Sequence, residues 1–249
     1  MKRILIVFFC FVIPGIIIGQ EVFEHNIEVD PGKVINEACL SDLFESYRFV
    51  PLETRQDALI ASLVKSVIND KTIYIQSRVG IKSRILVFSL ETGKFIASVD
   101  RNGRGPGEYL IIYDFAVNSQ GSIFVLAGKK IIKYKKSGEF DEEYKLKVSA
   151  DMFICTSDGG FILSPPNYKH EIVILDKQLN INKCLFPHEL YRIGYHDILQ
   201  SVNKTVYYNR KNHGSYYYFL DSDAKPFIQI KFKGYKPNSK ILEKVIAES

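Results

Sequence analysis

The chain has 249 residues, 46% apolar and 24% charged, with a formal net charge of +5. That is enough apolar material for a core without a disulfide framework, and too mild and scattered a charge for a nucleic-acid surface. The 15 Tyr and 17 Phe, against 2 Met and no Trp, favour strands, because aromatic and β-branched side chains suit a pleated, half-buried surface.

Residues 1–19 read as a signal peptide. Lys2 and Arg3 precede an apolar run from Ile4 to Ile18, and Gly19 is followed by polar Gln20 and Glu21. The run is shorter than the roughly 20 residues that a membrane-spanning helix needs, although a retained anchor is the alternative. Cys10 follows the bulky Phe9 and lies inside the run, so it does not suit lipidation. Cleavage after Gly19 predicts an exported, soluble chain in the periplasm or cell envelope, with no membrane span. It also lowers the formal net charge to +3, because Lys2 and Arg3 are lost.

Residues 20–46 form an N-terminal segment, 47–232 carry repeats, and 233–249 form a polar tail with a short helix over Ser239 to Ala247. Cys39, Cys155 and Cys184 show no paired metal-binding spacing and read as buried apolar residues, with one disulfide as the alternative.

The repeats organise the chain. Asn69-Asp70-Lys71-Thr72, Asn118 to Ser122, Thr156 to Gly160 and Ser201 to Thr205 each read as a tight turn before a β run. Those runs start at Ile73, Ile123, Phe161 and Val206, and a second pair of strands with its own turn follows each. The spacing fits a propeller blade of about 40–50 residues. The reading is an all-β propeller of four-stranded antiparallel blades, with about four blades visible and the ring incomplete. An extra strand near Tyr47 to Leu52 would complete a last blade.

Phe49-Val50-Pro51-Leu52-Glu53-Thr54, Gly93-Lys94-Phe95, and Gly103-Arg104-Gly105-Pro106-Gly107-Glu108-Tyr109 followed by Asp114-Phe115 resemble the six-bladed β-propeller family of exported bacterial proteins. That family is distantly related to NHL-repeat propellers. The resemblance implies a propeller from about Leu40 to Phe232, in a family whose members are mostly of unknown function. Its members are usually longer, often with a lipidation cysteine after the signal.

The segment Arg101 to Tyr109 invites a ligand. Its glycines allow close backbone approach, and Arg101 and Arg104 could clamp a carboxylate, phosphate or sulfate. Glu108 and Tyr109 complete the candidate ligand-binding set. The plainer reading is a blade-to-blade connection that Glu108 and Tyr109 pin. A phosphate-cradling loop is not supported, since the Lys-Ser/Thr ending is missing.

His188-Glu189 and His196 lack zinc-hydrolase spacing, and His25, His170 and His213 read as tail or loop residues. Glu142 and Glu143 are strand neighbours and point apart. Asp114, Asp151 and Asp197 recur at the start of first strands, which suggests architectural capping. Tyr207-Tyr208 and Tyr216-Tyr217-Tyr218 would face each other across a hairpin, and Asn203-Lys204-Thr205 is a glycosylation sequon on a turn. No catalytic residue, metal site or cofactor is expected. The sequence points to a non-catalytic binding or scaffolding module of the bacterial cell envelope with a protein or glycan partner. An extracellular polymer-processing hydrolase or lyase, and a truncated copy without a function of its own, are the alternatives.

Overall fold

The structure is a computed structural model that describes residues 22–33, 39–166, 168–187, 199–202, 205–210, 215–220 and 223–234. The signal segment, the tail helix, His188, Glu189, His196, Asp197, His213 and the sequon turn lie outside the described residues. After β1 (His25–Val29), a one-turn helix α1 (Leu40–Leu43) and a 3-10 turn (Gln56–Ala58), the chain enters four consecutive sheets.

The first blade is β2 (Leu63–Asn69), β3 (Thr72–Val79), β4 (Lys82–Ser89) and β5 (Phe95–Val99). The second is β6 (Asp114–Val117), β7 (Ile123–Leu126), β8 (Lys130–Tyr134) and β9 (Phe140–Lys145). The third is β10 (Met152–Cys155), β11 (Phe161–Ser164), β12 (His170–Leu175) and β13 (Ile181–Pro187). The fourth is β14 (Leu199–Val202), β15 (Thr205–Arg210), β16 (Ser215–Leu220) and β17 (Ala224–Phe232). Within each blade every strand is antiparallel to the next in sequence. These are the propeller blades that the repeats predict.

Period-two alternation builds the core between blades. In β4, Ile85 and Val87 face the second blade, while Leu86 and Phe88 face the opposite way. In β7, Ile123 and Val125 join the first interface, and Phe124 and Leu126 join the next, with Phe153, Phe161 and Val173. Ile162, Ile172 and Ile174 then meet Val206, Tyr208 and Tyr218 across the third interface. Each such side chain contributes about 1.5–3 kcal/mol on leaving water. First strands of successive blades lie side by side, β2 by β6, β6 by β10, and β10 by β14. Tyr208 pairs with Tyr218, as the tyrosine pattern predicts, whereas Tyr207 pairs with Phe219, and Tyr217 and Tyr216 pair with Asn209 and Arg210.

The edges differ from expectation. Residues 47 to 54 do not form a strand. Pro51 has no N–H for a ladder, and Glu53 spends its groups on the β4–β5 turn: its N–H donates to Gly93 O at 2.9 Å, and its Oε2 accepts from Phe95 N at 2.8 Å. Leu52 packs on Ile75, Leu86 and Phe88. The strand that extends a blade is instead β1, which pairs parallel to β17, His25 with Ile228 through Val29 with Phe232.

Candidate functional site

Because strands alternate in direction, blade-to-blade connectors share one end of the sheets with the β3–β4, β7–β8 and β11–β12 turns. The segment 101–109 lies at this connector end, between β5 and β6. It holds itself together. Tyr109 N donates to Arg101 O at 2.9 Å and Gly103 N to Tyr109 O at 3.0 Å, closing an isolated bridge between Asn102 and Tyr109. Glu108 N donates to Gly105 O at 3.1 Å, and Gly105 N donates back to Glu108 Oε2 at 2.8 Å.

The second blade fixes the loop from below. Tyr134 donates its hydroxyl to Gly107 O at 2.7 Å, and Gly107 N reaches Glu143 Oε2 at 3.3 Å. Glu143 is in turn held by Lys130 at 2.9 Å. Gly107 is needed twice: its φ is +68°, and a Cβ there would stand 2.5 Å from the Phe140 ring.

The candidate residues therefore divide. Tyr109 is buried at 1% exposure, donating to Val99 O at 2.9 Å and accepting from Arg101 N at 3.3 Å. Burial pushes its phenol well above the ordinary range, and does the same to Tyr134. Glu108 turns into its own loop, where its carboxylate fills the space beside Gly103 and Gly105. Arg101 and Arg104 remain exposed and make no ion pair among the described residues. The loop thus presents two guanidinium groups on a preformed frame, which suits an anionic group.

Beside the loop, Asp114 is buried at 5% and accepts from Lys65 Nζ at 2.6 Å, Phe115 N at 2.8 Å and Phe153 N at 3.0 Å. Burial pushes its carboxyl up, and Lys65 opposes that shift. It is the architectural role that its recurrence suggests, linking the first strands of three blades. Between the third and fourth blades, buried Glu171 accepts from the Tyr208 hydroxyl. Glu142 and Glu143 point apart as expected, one bonded to Tyr144 and the other to Lys130. Among the described residues, no group of three His, Cys, Asp or Glu side chains could hold a metal ion, and no helix is long and apolar enough to cross a membrane. Cys39, Cys155 and Cys184 are free thiols; against the expectation of buried cysteines, Cys39 is exposed and the other two are partly buried.

The family model described as "Domain of unknown function (DUF4934)" matches residues 24–248. The chain belongs to this family. A predicted exported protein from Bacteroides fragilis NCTC 9343 superposes on the DUF4934 chain with a TM-score of 0.72 at 18% identity. The match covers 90% of the DUF4934 chain and 65% of the other, so the DUF4934 chain spans just under two thirds of that protein's length. A member of the DUF4221 family from Bacteroides vulgatus ATCC 8482 has a TM-score of 0.43 at 14% identity, covering 71% and 63%. A protein of unknown function from Bacteroides caccae has a TM-score of 0.39 at 13% identity, covering 62% and 61%. No curated protein matches the DUF4934 chain.

The connector of the DUF4934 chain is legible in the sequence, but its supports, Tyr134 and Glu143, come from the next blade and carry no local signal. Ile81 stands out as an isoleucine in a two-residue turn, where polar residues are usual.

Proposed function

We propose that this chain is a non-catalytic binding or scaffolding module, exported to the periplasm or cell envelope, that takes a protein or glycan ligand at the connector end. One observation carries the reading. The 101–109 connector is ordered by its own hydrogen bonds and by Tyr134 and Glu143, yet Arg101 and Arg104 are left exposed. A preformed frame spares the cost of ordering a loop on binding. Two guanidinium groups favour a ligand bearing carboxylate, sulfate or phosphate.

The basic start and apolar run before Gln20 support export. The resemblance to six-bladed propellers, and the larger size of the Bacteroides fragilis neighbour, support reading the four blades as an incomplete ring. The ligand is tested with a uronic-acid polymer, a sulfated glycan and cross-linking to envelope proteins. Retention by any of these, weakened at least tenfold in Arg101→Ala/Arg104→Ala with unchanged thermal unfolding, supports the reading. Retention that is indifferent to both arginines overturns it.

A further inference from the structure

The hairpin joining β3 to β4 ends in Arg78-Val79-Gly80-Ile81-Lys82. Val79 pairs with Lys82, which leaves Gly80 and Ile81 as the two turn residues. Ile81 is 85% exposed and Val79 61%. On the adjoining connector Leu110 and Ile111 are also exposed, while their neighbour Ile112 is buried. The two segments are tied together. Asn102 Nδ2 donates to Ser83 O at 3.5 Å, and Gln76 Nε2 donates to Ile112 O at 3.4 Å. Large apolar side chains thus stand exposed on both of these segments at the connector end, and clustered exposed apolar groups mark interaction surfaces.

Their surroundings are cationic. Arg78 and Lys82 flank the tip, are exposed, and make no ion pair among the described residues. The carboxylates nearby are already engaged: Asp100 by Asn102 and Arg84, Glu143 by Lys130, and Asp114 by Lys65. At the opposite end charges balance locally, as with Lys135 and Glu139 or Lys133 and Asp141. A bilayer interface accepts separate apolar protrusions and matches flanking cations with anionic headgroups.

We propose that the connector end docks on an anionic phospholipid surface, with Val79, Ile81, Leu110 and Ile111 inserted to headgroup depth and Arg78 and Lys82 on the headgroups. This goes beyond the ligand reading and does not depend on it.

The test is sedimentation of the chain from Gln20, which contains every described residue, with vesicles of phosphatidylcholine with and without phosphatidylglycerol. Binding is expected only to the phosphatidylglycerol vesicles, falling as salt is raised. Ile81→Asp should abolish it, and Lys82→Gln should weaken it about fivefold. All of the substituted side chains are exposed, so thermal unfolding should not change. Arg101→Ala/Arg104→Ala should weaken vesicle binding less than Ile81→Asp, which separates this surface from the ligand site. Three results overturn the proposal: no vesicle binding, equal binding to both vesicles, and full binding by Ile81→Asp. Cross-linking to an envelope protein that Ile81→Asp removes, without vesicle binding, would assign the tip to protein docking instead.

Discussion

The carbonyl oxygen of Pro51 lies 1.9 Å from where a Cβ on Gly93 would stand. In the next blade, Ser98 O lies 2.2 Å from the corresponding point on Gly138. Pro51 therefore occupies, beside the first blade, the place that the outer strand β5 occupies beside the second. The segment around it substitutes for the last strand of a preceding blade without pairing as one. Gly93 has φ +69° as well, so Gly93→Ala should cost about 1–2 kcal/mol from backbone alone and more from the forced separation. Gly128, with φ +68° and nothing within 4 Å of where its Cβ would stand, supplies the control. Urea unfolding should show Gly93→Ala clearly less stable than Gly128→Ala, and equal losses would mean that the approach of Pro51 does not matter.

Asp114→Asn places an N–H where Oδ2 now accepts from Phe153 N. Two donors then face each other in a buried site, which should cost about 1–3 kcal/mol. Lys65→Met should cost more, about 3–5 kcal/mol, because it leaves a buried carboxylate without its cation. Chemical denaturation of both variants checks the order.

The two cysteines whose surroundings differ most should react differently. Burial among apolar residues of the second and third blades pushes the Cys155 thiol up to about 12, whereas Cys39 is exposed. Reactivity follows the thiolate. An aromatic disulfide reagent at pH 8 should modify Cys39 rapidly and Cys155 only after unfolding. Rapid modification of Cys155 in the folded chain would contradict its packing.

Lys133 donates a hydrogen bond to Asp141 and holds its carboxyl below the ordinary value. A carboxyl lowered on folding stabilises the native state above the unfolded value, near 3.9. That contribution disappears as pH falls through the lowered folded value. Lys133→Met should return the Asp141 titration, followed by NMR, to the ordinary range and flatten this part of the acid response. An unmoved titration would show that the pair is not formed in solution.

Much of this architecture could be read from the sequence. The turns around Asp70, Gly121 and Gly159 have the left-handed backbone that their residue types allow, and the second strands of the four blades begin within a residue of Ile73, Ile123, Phe161 and Val206. Local turn chemistry and period two decide these features, so a single sequence carries them. The pairing of β1 with β17 was not legible, because it joins His25 to Ile228 and no local pattern encodes a partner so distant. Arg101 and Arg104 could be read as exposed cations on a glycine-rich loop. That Glu108 turns inward depends on the space that Gly103 and Gly105 leave, and the support of Tyr134 depends on how the next blade packs. Ile81 was visible as an apolar turn residue, yet its meaning emerges only beside Leu110 and Ile111.

In stacked-repeat proteins each repeat contacts only its immediate neighbours, so damage at one place fades with distance. The Asp114 carboxylate joins two such neighbour contacts in one group, since one residue of the second blade bonds both Lys65 of the first and the backbone of Phe153 in the third. The three blades share a rivet. A lesion at Lys65 should therefore loosen amide-exchange protection in β10 as well as in β2, and blades one to three should melt as a single cooperative block.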